Sequence, residues 1–196
     1  MPRSLLLLCL VSTAGARAAA QSHAPASDPF GSISISVGAT TLAAQSDNLD
    51  AWDASPGLEV RALFPFYAGS VELGANQAAF DARLETLPGF RARYVFIGWG
   101  LIARPVARLA WRTGARLGVY DLEFDDESIP DYARSENEVG SELVTELTVG
   151  IGNGWDVSAG AGGRVVFTEP RIRQLTIAAG IRRTFVSPEW LRDFLD

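Results

Sequence analysis

Between residues 108 and 152 the chain alternates in two long runs, and this alternation limits the possible fold more than any other feature. The first arm places Leu109, Trp111, Thr113, Ala115, Leu117 and Val119 at odd positions. Its even positions hold Arg108, Ala110, Arg112, Gly114, Arg116, Gly118 and Tyr120. The second arm places Val139, Ser141, Leu143, Thr145, Leu147, Val149 and Ile151 at odd positions, against Glu138, Gly140, Glu142, Val144, Glu146, Thr148 and Gly150. Successive side chains of a strand point to opposite faces, so a period of two sustained this far means extended strand. One face carries no charge. The other mixes small residues with arginine on one arm and glutamate on the other. Strands of soluble sheets usually run about 5–6 residues. Arms this long suit a closed wall with lipid outside and charge inside.

The start of the chain reads as an address. Arg3 supplies a basic opening, residues 5–11 an apolar core, and Ala18-Ala19-Ala20 before Gln21 a small-residue cleavage site, so 1–20 is expected to be a signal peptide. The apolar run is shorter than the roughly 20 residues a membrane helix needs. Cys9 lies inside this segment, so the mature chain has no thiol chemistry and no disulfides. All 17 basic residues are arginine. Removing Arg3 and Arg17 leaves 15 arginines against 23 carboxylates, a formal charge of −8. That balance disfavours nucleic-acid binding, and no nucleic-acid partner is expected, because neutralising phosphates needs a basic face. No later stretch is continuously apolar for the length of a membrane helix, so a membrane crossing would require a closed barrel.

The rest of the chain divides into strands and turns. Residues 21–29 form a flexible leader, and 30–185 one domain of eight strands, predicted at 30–42, 58–66, 70–80, 90–103, the two arms of the hairpin, 155–168 and 173–185. A polar loop is expected at 43–57 and an acidic one at 121–138. The fourth strand is the least regular, because Arg91 and Arg93 share a parity with Val95, Ile97 and Trp99; a bulge near Gly98 or Gly100 would switch its faces. Longer and shorter connections alternate, as in an up-and-down barrel with both termini in the periplasm. Aromatic residues cluster at strand ends: Phe30, Phe64, Phe66, Trp111, Trp155 and Phe185 at one end, and Phe80, Phe90, Phe124 and Phe167 at the other. These are expected to be two interfacial girdles.

In architecture, residues 30–185 resemble the small eight-stranded outer-membrane barrels of the OmpA/OmpX type. The closing strand adds to this, since Gly180 and Phe185 are similar in placement to the signal that barrel-assembly machinery reads in those proteins. Arg183 departs from the pattern, standing where that signal has a hydrophobic residue. The resemblance implies an all-β, antiparallel, up-and-down transmembrane barrel in the bacterial outer membrane, in contact with lipid and lipopolysaccharide. A monomer is expected. Residues 186–196 are expected to form a periplasmic tail, where Ser187 and Pro188 could cap a short helix with Trp190, Leu191, Phe194 and Leu195 on one stripe. The rival fold is a soluble eight-stranded calycin, apolar inside and polar outside. Glycines on the charged face, the girdles and the long strands favour the membrane form.

Three places could carry chemistry. The charged face assembles Glu59, Arg61, Glu72, Arg112, Arg116, Glu142, Glu146, Arg164 and Arg182. An eight-stranded barrel is just wide enough for side chains to fill it, so these residues are expected to form a structural ion-pair network rather than an ion path. A loop turning near Asp131 would set Arg116 across from Glu146. The acidic loop, with Asp121, Glu123, Asp125, Asp126, Glu127 and Asp131, offers an interaction surface. It lacks the glycine and terminal glutamate of a calcium loop, so no metal or other cofactor is expected. Arg171 and Arg173 at the rim could reach lipopolysaccharide phosphates. The only histidine, His23, precedes the first strand, which argues against serine–histidine hydrolysis of lipid from the wall. The expected function is therefore structural or surface-interacting and non-enzymatic, with narrow or lateral solute transport as the alternative.

Overall fold

The computed structural model describes residues 29–125 and 135–190. The proposed signal peptide, most of the leader, Asp126, Glu127, Asp131 and residues 191–196 of the tail lie outside the described residues. The strands are β1 (Ser32–Gln45), β2 (Trp52–Ala54), β3 (Gly57–Phe66), β4 (Gly69–Ala82), β5 (Phe90–Val106), β6 (Leu109–Phe124), β7 (Ser135–Gly152), β8 (Trp155–Val166) and β9 (Ile172–Val186). All but β2 form a ring of eight, each antiparallel to both neighbours. The ring closes where β1 meets β9, with Ser32 opposite Val186 and Gln45 opposite Gln174. Closure leaves no edge strand, so across the middle of the wall each strand pairs its backbone with a neighbour on both sides.

Three connections are two-residue turns, at 67–68, 107–108 and 153–154, and all lie at the end of the ring that holds both barrel termini. Asn153 and Gly154 have φ of 54° and 75°, the paired positive values that let a two-residue turn follow the twist of its strands. The connections at the other end are longer. These are called below the short-turn end and the long-loop end.

Alternation sorts the wall as lipid would require. Val95, Ile97, Trp99 and Leu101 of β5 point outward and are roughly half exposed, as are Leu117 and Val119 of β6 and Leu143, Leu147 and Val149 of β7. A continuous exposed apolar belt of this extent is foreign to a soluble monomer. At the short-turn end Phe64 and Phe66 gather round Phe30, with ring centroids 6.1 and 5.6 Å apart, and Trp111 and Phe185 are exposed on the outer wall at the same end.

Several expected boundaries and faces differ. β5 has no bulge at Gly98 or Gly100, and its register runs unbroken to Ala103 before shifting ahead of the turn. Its even positions from Phe90 to Gly100 stay inside, so Arg91 and Arg93 simply stand on the outer wall near the long-loop rim. The girdle at that end is smaller than expected. Phe80 and Phe90 face the lumen, 2% and 3% exposed and stacked at 4.4 Å, while Phe124 packs against them and only Phe167 of the four stays outward and exposed. The polar loop at 43–57 is partly structured: β2 adds to the end of β4, and Leu49 is buried. Trp52 sets its ring edge-on to Phe90 at 5.6 Å and donates from Nε1 to Pro88 O at 2.9 Å. Burial of these rings closes the long-loop mouth with an aromatic layer. Beyond it, Arg83 Nε donates to Asp53 Oδ1 at 2.9 Å, and this hydrogen bond holds the exposed Asp53 carboxyl below its ordinary pKa.

Candidate functional site

The centre of the lumen holds four arginines and four glutamates. Arg61 and Glu59 come from β3, Glu72 from β4, Arg112 and Arg116 from β6, Glu142 and Glu146 from β7, and Arg164 from β8. All eight are between 0% and 8% exposed. Four positive and four negative formal charges cancel, which an interior excluded from water strongly favours.

The alternation of strands places them. Glu72, Gly98 and Arg116 are inward neighbours in one row across β4, β5 and β6, and Glu142 and Arg164 continue it on β7 and β8. Gly98 is the gap in that row: a Cβ there would stand 2.8 Å from Glu72 Oε1 and 3.0 Å from Arg116 Cγ. Its missing side chain lets acid and base meet over its backbone.

Two residues are hubs. Glu72, with no exposed surface, receives Arg112 Nη2 at 2.8 Å, Arg116 Nε at 2.9 Å and Arg61 Nη1 at 3.5 Å. Arg116 reaches Glu59 and Glu142 at 3.1 Å each besides Glu72. Arg61 holds Glu59 at 3.0 Å and also binds Glu146. β3 and β7 stand four places apart in a ring of eight, so the Arg61–Glu146 pair crosses the whole lumen. Such forked, charge-assisted bonds are the strong kind, and each guanidinium already ordered by one partner loses little more freedom on taking a second.

Above the ions the lumen turns aromatic. The guanidinium of Arg116 lies 4.3 Å from the Phe96 ring and that of Arg164 4.2 Å from Tyr94 and 5.6 Å from Tyr120. Tyr94 donates to Gly140 O at 3.2 Å, and Gln174 Nε2 donates to the Tyr120 hydroxyl at 3.2 Å. These rings join the ion cluster to the closed mouth. They are not among the luminal residues expected from the sequence, although Tyr94, Phe96 and Tyr120 share the parity of the luminal charges. Free space beside the cluster amounts to about 30 Å³, room for a water or two but for no solute.

Eight of the nine proposed network residues meet in this cluster. Arg182 does not join it; it pairs with Asp156 at 3.0 Å toward the short-turn end. The expected Arg116–Glu146 pair is replaced. The register sets Arg116 opposite Glu142 and Arg112 opposite Glu146, four residues from the expected alignment, and Arg61 takes Glu146 instead. A double-mutant cycle of Arg61→Ala with Glu146→Ala is expected to give a coupling of about 0.5–3 kcal/mol in urea unfolding. Additive losses would contradict the pairing.

The acidic connection is shorter than the sequence suggested. Asp121 and Glu123 belong to β6, on its outer face, and pair with arginines of β5: Arg93 with Asp121 at 3.7 Å, and with Glu123 at 2.9 Å. Arg91 lies 3.9 Å from Glu123. Asp125 opens the connection and is exposed, its backbone N–H donating to Gly89 O at 2.9 Å. No group of three His, Cys, Asp or Glu side chains among the described residues is placed to hold a metal ion.

This architecture recurs among solved structures. Neisserial surface protein A superposes with a TM-score of 0.61 at 15% identity, over 80% of this chain and 99% of that one. Ail, the attachment invasion locus protein of Yersinia pestis, gives 0.54 at 13% identity, over 79% and 99%. The N-terminal barrel domain of Pseudomonas aeruginosa OprF gives 0.53 at 10% identity, over 80% and 99%. The chain has the fold of the small eight-stranded outer-membrane barrels. No family model matches it, and no curated protein matches it in sequence.

Proposed function

We propose that this chain is a non-enzymatic barrel of the bacterial outer membrane that acts as a structural element or by presenting its long-loop end to a surface partner. The observation that carries this reading is the filled lumen: ion pairs span it from wall to wall and an aromatic layer covers them. A pore needs a water path, which this interior denies to solutes. The short turns then face the periplasm, together with both barrel termini. Contacts with outer-membrane lipid, lipopolysaccharide and the barrel-assembly machinery belong to the same reading, with a monomer as the working unit.

Charge suggests the class of surface partner. The described residues of the long-loop end carry eleven carboxylates and five arginines. Ail has been crystallised with the heparin analogue sucrose octasulfate. The acidic excess here favours a basic partner over such a polyanion, since like charges steer partners apart. The purified full chain, inserted into planar bilayers, is expected to produce no conductance steps. Steady steps would favour the transport alternative, and release of fatty acid from phospholipid vesicles would favour a lipid-modifying enzyme.

A further inference from the structure

The outer face of β9 carries an arginine at each end of an apolar stretch: Arg173, then Leu175, Ile177, Ala179 and Ile181, then Arg183. Ten residues at about 3.3 Å each span roughly 33 Å along the strand. With a tilt near 40° this becomes about 25 Å of height, the thickness of the apolar band of an outer-membrane barrel. Arg183 therefore falls at the interface of the short-turn end.

Its surroundings differ from those of most other strand arginines. Arg61, Arg91, Arg93, Arg112, Arg116, Arg164 and Arg182 each have a carboxylate within ion-pair distance. Arg183 makes no such pair among the described residues. Asp156, the acid nearest along this rim in sequence pairing, faces inward and is taken by Arg182 at 3.0 Å. Instead the Arg183 guanidinium lies 5.0 Å from the Trp155 ring and 5.3 Å from the Phe185 ring, and it remains exposed. Trp155 is its cross-strand partner on β8 and Phe185 its neighbour on the same face.

We infer that Arg183, resting on Trp155 and Phe185, is a site for the phosphate of an anionic phospholipid headgroup in the leaflet at the short-turn end. Arginine stays charged at any physiological pH, so at an apolar boundary it requires an anion or water. Its planar fork matches two phosphate oxygens, and the ring faces hold it flat at headgroup height. Aromatic residues at this depth settle with their polar edges toward the headgroups. The assignment also accounts for the departure from the hydrophobic closing-strand pattern at position 183. It rests on the membrane reading above.

The test uses the full chain folded in detergent, with phosphatidylglycerol or phosphatidylcholine added, read by native mass spectrometry. Unheated electrophoresis first verifies that each protein is folded, so a failure of the membrane fold is seen separately. The wild type is expected to retain phosphatidylglycerol in preference to phosphatidylcholine. Arg183→Gln is expected to lower that retention about fivefold, the effect of one near-surface arginine on an anionic lipid. Arg183→Lys keeps part of it, and Arg108→Gln, a turn arginine of the same end, leaves it unchanged. Trp155→Leu, which retains the charge but removes half the shelf, weakens it by a smaller factor. Equal retention by the wild type and Arg183→Gln, or no preference between the two lipids, would overturn the site. Displacement of the lipid by excess inorganic phosphate would make it a free-anion site and overturn the lipid assignment.

Discussion

Glu72→Ala is expected to lower the unfolding free energy of the barrel by about 3–5 kcal/mol. Glu72 is wholly buried and accepts from Arg61, Arg112 and Arg116. Its loss leaves four buried arginines facing three glutamates, and the uncompensated positive charge stays buried with room for no more than a water or two beside it. Arg112 suffers most, since Glu72 is the carboxylate it holds, at 2.8 Å; its other bond goes from Nε to the Ser70 hydroxyl at 3.1 Å. Glu72→Gln keeps the shape and isolates the contribution of charge. Glu123→Ala is the matching control, because that carboxylate pairs with Arg93 on the outer rim, where an ion pair contributes about 0–1 kcal/mol. Urea unfolding in lipid vesicles, followed by tryptophan fluorescence, measures all three. Equal effects for Glu72→Ala and Glu123→Ala would mean that the lumen is wet and the network weak.

Ile97→Arg should be the most damaging change on the outer wall, with a loss of about 2–4 kcal/mol for an arginine at the bilayer midplane. Ile97 lies midway along β5, 55% exposed, with Leu73 and Leu117 beside it on the neighbouring strands, both also outward. Exposure makes the contrast sharp. In a water-soluble barrel a charge at an exposed position changes stability by no more than about 0.5 kcal/mol. Arginine already occupies the same face of β5 at positions 91 and 93, near the long-loop rim, where the side chain reaches carboxylates and the polar interface. Unfolding of Ile97→Arg in vesicles at an unchanged urea midpoint would argue that the apolar belt does not face lipid.

How legible the fold was follows from what a period of two can and cannot convey. Alternation shows which residues share a wall, so the eight luminal charges are legible in the sequence as one face. It does not fix register in steps of two. A shift of four residues between β6 and β7 keeps every side chain on its own face, so Arg116 opposite Glu142 and Arg116 opposite Glu146 look alike in sequence. Nor does a strand pattern reveal contacts that cross the ring, such as Arg61 with Glu146, because they depend on closure and stagger. Position at the strand ends points Phe80 and Phe90 to a girdle. Their parity, shared with Glu72 and Tyr94, was the better guide, and it places them in the lumen. Arg91 and Arg93 show the same lesson in reverse: they keep the outward parity of Val95, and rim chemistry rather than a bulge explains them. The short strand β2 had no pattern to announce it, since three residues are too few for alternation to register.

The most direct measurement is refolding of the purified mature chain into phospholipid vesicles, followed by flotation and by electrophoresis with and without boiling. A membrane-spanning closed barrel floats with the lipid after an alkaline wash, and its unboiled band migrates apart from the boiled one. A chain that stays in the aqueous fraction, folded and water-soluble, would contradict the lipid-facing belt and the sealed charged lumen together.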